Sequence, residues 1–220
     1  MEIKEDRGIA FQPLKVKVDK SKEIILVAEG SYGKDGIAVL WDGGNDSTVL
    51  LHIIKSIYKV NIPFKVITID TTVLFQEVQD FIKRIKDEWG IDLITLKNKD
   101  AEDILKSHKD KDECCYLLKT KVLEDSIKEL GIEALMTAAR WDSCANEKYL
   151  SKDADYVKIN PILHFLEKDI WEYIKINDVS YCGIYDKGYK AIRCIPCAES
   201  MGAIYNKEEI MERLKSLGYF

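Results

Sequence analysis

The sequence predicts an α/β protein: a parallel, doubly wound sheet of about five strands with flanking helices. Three observations carry this. Short β-rich runs alternate with longer segments of helical periodicity. Those runs are apolar nearly throughout, as strands covered on both faces must be. A glycine pair followed by an acid and two hydroxyls also stands where the first run gives way to a helix, in AVLWDGGNDSTVLLHI (38–53).

Taken in order, residues 1–36 form an N-terminal extension in which EIILVAEGSYGKDG reads as a hairpin, and residues 37–220 form the main unit. The expected strands are IAVLW (37–41), KVITID (65–70), DLITL (92–96), ALMTA (134–138) and YVKIN (156–160). Helices are expected near 47–59, 74–89, 115–130 and 168–176. In the second of these, Phe75, Val78, Phe81, Ile82 and Ile85 recur at spacings of three and four with charges between them, which gives one apolar face. KEEIMERLKSLGYF, at the end of the sequence, reads as a terminal helix.

A chain of 220 residues suits one core of ordinary size. Its net charge of −5 argues against wholesale coating of duplex nucleic acid. No window approaches the roughly 18 apolar residues of a membrane helix. MEIKEDRGIAFQPLK lacks the apolar core of a signal peptide. The expectation is a cytoplasmic protein with no membrane partner, whose six cysteines act as thiols or metal ligands rather than disulfides.

In a parallel sheet, ligands lie beyond the carboxyl ends of the strands, and the glycine loop stands at such an end. Gly43 and Gly44 can take positive φ and let a phosphate approach the backbone. Asp46, Ser47 and Thr48 can cap the helix and leave its first amides for an anion. The plainer reading is a tight turn before a capped helix; the strand–turn–helix context favours a nucleotide.

The cysteines supply a second signal. Cys114 and Cys115 lie in ECCYLLKTKVL (113–123), and Cys194 and Cys197 lie in KGYKAIRCIPCAES (187–200). Four thiolates can hold zinc or an iron–sulfur cluster; buried core cysteines or a redox dithiol are the alternatives. Adjacent cysteines are unusual for a zinc knuckle. Burial is the expectation for Cys144 and Cys182, and packing for His52; His108 and His164 suggest no catalytic arrangement.

Together these stretches resemble the PP-loop superfamily of ATP pyrophosphatases and sulfonucleotide reductases, with an adenine nucleotide alpha-hydrolase-like fold. The usual loop is Ser-Gly-Gly-x-Asp-Ser; here it is Asp42-Gly43-Gly44-Asn45-Asp46-Ser47. IDTTVLFQEVQDFIKRI (69–85) is similar to the family's second strand and helix, with its Asp-Thr-Gly turn near the adenosine. ALMTAARWDSCANE (134–147) resembles its Arg-Arg-Asp-Glu-type segment, and DIWEYI (169–174), after Asn160-Pro161, its tryptophan-containing helix. The likeness spans about residues 35–200. It implies nucleotide contacts from Asp42, Gly43, Gly44, Asn45, Asp46, Ser47, Thr48, Asp70, Thr71, Thr72 and Arg140. The cysteine pairs resemble the signature of cluster-containing adenylyl-sulfate reductases, which implies a [4Fe–4S] cluster on Cys114, Cys115, Cys194 and Cys197. Lys119 is then a candidate anion contact. The family also implies a homodimer and a thiol or sulfur-donor protein as partner.

Three positions depart from the pattern. Asp42 replaces serine, Asn45 replaces a frequent lysine, and Trp141 stands where a second arginine is expected, either to stack on a base or to fill the core. The reductases also attack the sulfate sulfur with a cysteine of a Glu-Cys-Gly-x-His segment, and nothing after Cys197 matches it. The alternatives are Cys144, Cys182 or a partner's thiol. Three functions are compatible with this: a reductase-like oxidoreductase binding an adenine sulfonucleotide, an ATP- and magnesium-dependent PP-loop sulfurtransferase acting on a nucleic-acid acceptor, and a non-catalytic nucleotide- or cluster-binding subunit.

Overall fold

A computed structural model describes Ile3 and residues 6–200, except 60, 108, 109, 153 and 154 and the side chains of 199 and 200. The expected terminal helix and His108 lie outside the described residues.

The chain opens with α1 (Leu14–Tyr32), β1 (Ile37–Leu40), α2 (Asn45–Tyr58), β2 (Lys65–Asp70), α3 (Gln76–Trp89) and β3 (Leu93–Lys97). It continues through α4 (Ala101–Ser107), α5 (Lys111–Cys115), α6 (Lys121–Glu129) and β4 (Ala134–Met136). The described part ends with β5 (Leu150–Lys152), β6 (Val157–Ile159), α7 (Glu167–Ile176) and α8 (Ile195–Ser200). The strands form one six-stranded sheet in the order β3-β2-β1-β4-β6-β5. Every pairing is parallel except β5 with β6.

Both faces of the sheet are covered, as the apolar strands required. Ile37 and Val39 of β1 join Val49, Leu50 and Ile53 of α2 and Val78, Phe81 and Ile85 of α3 in the larger core. Ala38 points the other way, against Leu123 and Ile127 of α6. Alternate residues of one strand thus seed two cores, which is the packing of a doubly wound α/β fold.

One expectation is corrected and two details are added to the others. The N-terminal hairpin is instead the 19-residue helix α1. Its buried stripe, Lys17, Ser21, Ile24, Ile25 and Ala28, repeats at three and four, and it packs into the larger core. The sheet also has a sixth strand, β5, antiparallel at the edge. A third difference concerns the helix expected over 115–130. It runs through α5 and α6 with a π-helical turn, Tyr116–Thr120, immediately after the adjacent cysteines. Such turns insert a residue into the helical register and often mark functional positions.

Candidate functional site

The strand order reverses at β1, which has β2 on one side and β4 on the other. The loop after β1 therefore opens at the topological switch point, where ligands of doubly wound sheets bind. Gly43 has φ of 79°, and a Cβ there would come within 3.0 Å of Ile82 Cγ1. Only glycine suits that turn. Trp41, fully buried at the end of the strand, donates from Nε1 to Thr48 Oγ1 at 3.0 Å and ties strand to helix across the loop.

Within the loop, Asp42 Oδ1 accepts the Gly44 amide at 2.9 Å and the Ser47 hydroxyl at 2.5 Å. The Asn45 amide donates to the Tyr185 hydroxyl at 3.1 Å. Asn45 Oδ1 is buried without a hydrogen-bond partner among the described residues. Arg140, just beyond β4, donates from Nε to Asp46 at 3.1 Å and from Nη1 to Asp142 at 2.8 Å. Burial pushes the Asp46 carboxyl from the ordinary 3.8 up to about 6, against the opposing pull of Arg140. The buried guanidinium faces a glycine loop at a helix N-terminus, and its charge, shared here between Asp46 and Asp142, is one that an anion could meet by displacing a carboxylate.

The turn after β2 lies on the same edge. Asp70 Oδ1 accepts the Thr72 amide at 2.7 Å, and Thr72 has φ of 67°, a left-handed conformation that disfavours a β-branched residue. The resemblance places glycine at that position. Thr71 is buried, and its Oγ1 lies 3.2 Å from Cys194 Sγ, while the Ile195 amide donates to the Val73 carbonyl. These bonds fasten the second cysteine pair to the end of β2.

The cysteine pairs share an electrostatic neighbourhood. Burial raises the Cys114 thiol, and Cys115, Cys194 and Cys197 raise it further while Lys119 opposes. Burial is also the leading cause of the rise at Cys115, opposed by Lys119 and reinforced by Cys197 and Cys194. No group of three or more His, Cys, Asp or Glu among the described residues converges closely enough to hold a metal ion. None of the six cysteines is in a disulfide.

Cys182 is buried, as expected, but Cys144 is exposed. It lies between Ser143 and Ala145 in the loop beyond Arg140, whose carbonyl accepts the Cys144 amide at 2.7 Å. Trp141 fills core: it packs edge-on to Tyr149, donates to the Glu147 carbonyl at 3.0 Å and carries the Arg7 guanidinium over its ring. His52 packs on Trp89 and meets the Tyr173 hydroxyl at 2.9 Å. Two residues of the loop's surroundings, Tyr185 and Asp142, did not stand out in the sequence. Asp142 lies in the segment quoted for Arg140; Tyr185 has no spacing signal.

A glycine loop and a buried arginine at the switch point of a two-faced parallel sheet define the class: an α/β protein with a candidate nucleotide site. The chain belongs to the phosphoadenosine phosphosulfate reductase family, whose reductase domain matches residues 36–200. It is 32% identical over 195 residues to an adenosine 5'-phosphosulfate reductase of Bacillus subtilis, covering 81% of each chain. The corresponding enzyme of Staphylococcus haemolyticus is 32% identical over 190 residues, 80% of this chain and 75% of that one. Among solved structures, a phosphoadenylyl-sulfate reductase from Candida auris, in complex with phosphate, superposes with a TM-score of 0.66 at 22% identity, covering 89% of this chain and 98% of that one. The FMN adenylyltransferase of Candida glabrata in complex with ATP has the same fold, with a TM-score of 0.67 at 16% identity and coverage of 88% and 65%. No described helix is long and apolar enough to cross a membrane.

Proposed function

We propose that the chain is a sulfonucleotide oxidoreductase that takes adenosine 5'-phosphosulfate, the substrate named for its bacterial relatives, and reduces it with electrons from a thiol partner. The observation that carries the reading is the contact of Thr71 with Cys194. It joins the turn assigned to the adenosine to the cysteine pair assigned to the cofactor, on the edge where the glycine loop opens. In this reading Gly43, Gly44, Asn45, Ser47 and Thr48 shape the phosphate end. Asp70, Thr71 and Thr72 border the nucleoside. Arg140, held by Asp46 and Asp142, meets the sulfate charge.

The donor set matches a [4Fe–4S] cluster in kind: four cysteine thiols on two segments, the second of them tied to the end of β2 through Thr71 and Cys194. Cys114, Cys115, Cys194 and Cys197 would hold it, and when bound it would pin the two cysteine segments together beside the nucleotide end of the sheet. The protein's own contribution is orientation. The Thr71 hydroxyl fixes Cys194, and the π turn sets the register of the adjacent cysteines against Lys119.

Anaerobic incubation with sulfur-labelled adenosine phosphosulfate and a thiol donor should release sulfite, and Arg140→Ala should lose that release. Iron and sulfide analysis should give about four irons per chain, lost in Cys194→Ser. No sulfite with any thiol donor would overturn the proposal. The Gly-Gly-x-Asp-Ser form of the loop favours a second reading, ATP-dependent sulfur transfer. Magnesium-dependent pyrophosphate release from ATP in the presence of an acceptor would support it instead.

A further inference from the structure

Three donors of the glycine loop are engaged by side chains of the chain itself. Asp42 takes the Gly44 amide and the Ser47 hydroxyl, and the Tyr185 hydroxyl takes the first amide of α2, that of Asn45. A phosphate at a helix N-terminus uses donors of this kind, and a carboxylate meets them with like charge and similar acceptor geometry. Asp42 thus plays the part of a bound anion. It stands exposed at the mouth of the loop, while Gly43, Gly44 and Asn45 behind it are buried. The charges around it point the same way. Asp42, Asp46 and Asp142 are set against one guanidinium, Arg140, which the last two already share. The two stand-ins differ in kind, because the neutral Tyr185 hydroxyl can yield its amide to an anion without repulsion and the Asp42 carboxylate cannot.

We propose that Asp42 is a specificity-determining residue that reserves this loop for adenine nucleotides with a single phosphoryl group, such as AMP and adenosine phosphosulfate, and excludes ATP and pyrophosphate. The proposal rests on the nucleotide-site reading above. The sulfate of adenosine phosphosulfate and the outer phosphoryl groups of ATP must both pass Asp42, but the first adds about one negative charge and the second about three, so displacing the carboxylate from Gly44 and Ser47 and then lying against it opposes ATP far more. Asp42→Ser restores the serine of the usual PP-loop and removes both obstacles. Asp42→Asn keeps an acceptor for Gly44 and Ser47 but removes the charge.

Calorimetric titration of the full chain with AMP, ATP and pyrophosphate in EDTA tests this. The unaltered protein should bind AMP, and ATP at least about tenfold more weakly, in line with the cost of facing like charges. Asp42→Ser should improve ATP binding relative to AMP by about tenfold or more, and Asp42→Asn should recover part of that gain. Thermal unfolding establishes that each variant is folded, and the asparagine variant carries the test if the serine variant is not. Equal affinity of the unaltered protein for ATP and AMP overturns the proposal, as does the absence of any gain in both variants. So does magnesium raising ATP binding to the AMP level, which would make Asp42 a metal contact. Failure of AMP to bind the unaltered protein would overturn the nucleotide-site reading together with this one; AMP binding without discrimination overturns this one alone.

Discussion

Lys17 meets Asp169 with its side chain 1% exposed and its partner's 5%, whereas Arg140, at 8%, meets Asp46 at 36% and Asp142 at 29%. The first pair is closed on all sides. Asp169 also accepts the Leu166 amide and caps α7, while the Lys17 carbonyl accepts from His164 Nε2 at 2.8 Å and from the Ser21 hydroxyl at 3.1 Å. The second is a buried cation whose carboxylate partners reach solvent. A closed pair can only hold α1 to α7. An open one can exchange a carboxylate for an incoming anion, which is what a binding site requires. Burial of a charge therefore does not distinguish structure from function here; the exposure of its partners does.

The sharpest way to break this comparison is to cut the closed pair. Lys17→Ala leaves the Asp169 carboxylate buried without its cation, and should destabilise the protein by about 3–5 kcal/mol, read from urea unfolding. A cost below about 1 kcal/mol would place the pair with ordinary surface ion pairs and remove the contrast.

The two regions should also respond to acid with opposite sign. Burial lowers His164 from the ordinary 6.5 to about 4, so over that window the unfolded chain binds the proton that the folded chain refuses. Stability tied to His164 is complete above pH 6.5 and falls as pH drops toward 4, by on the order of 3 kcal/mol. Asp46 runs the other way. Its carboxyl is raised from 3.8 to about 6, so the folded chain holds the proton longer, and the loop loses stability as pH rises from about 4 to 6. Urea midpoints measured from pH 4 to 7 should therefore flatten on the acid side in His164→Gln. They should fall more steeply with acid in Asp46→Asn, which removes the opposing slope. Parallel profiles for the two variants would show that the regions are not distinguished by their titration.

These same features explain what could be read from the sequence. β1 and β2 were legible because their residues are apolar on both faces, and α3 because its apolar residues keep one side. The loop residues were legible because glycine, acid and hydroxyl at fixed positions leave few other structures. α1 was not, because its buried stripe includes Lys17 and Ser21, and the burial of Lys17 depends on a carboxylate 152 positions away. Tyr185 reaches Asn45 across 140 positions for the same reason. Only three residues long and paired at the edge, β5 offers too little pattern to register. The role of Thr72 was hidden in another way: a β-branched residue gives no hint of a left-handed turn, which the Asp70 carboxylate holds in place.

If the charges of the loop are kept for a ligand, its shape must rest on neutral bonds, and Trp41 with Thr48 is the test. The indole Nε1 donates to Thr48 Oγ1 between two buried side chains, so neither group can turn to water instead. A double-mutant cycle of Trp41→Phe and Thr48→Val should give a coupling of about 1 kcal/mol in stability, the net value of a buried neutral hydrogen bond. The same cycle on Arg140→Ala and Asp46→Ala should give a smaller coupling in stability, because Asp46 is partly solvated and its burial already opposes its charge. That second pair should appear instead in nucleotide affinity. If the order is reversed, with the ion pair dominating stability and leaving binding unchanged, Arg140 belongs with Lys17 as a clasp and the anion must be met elsewhere on the loop.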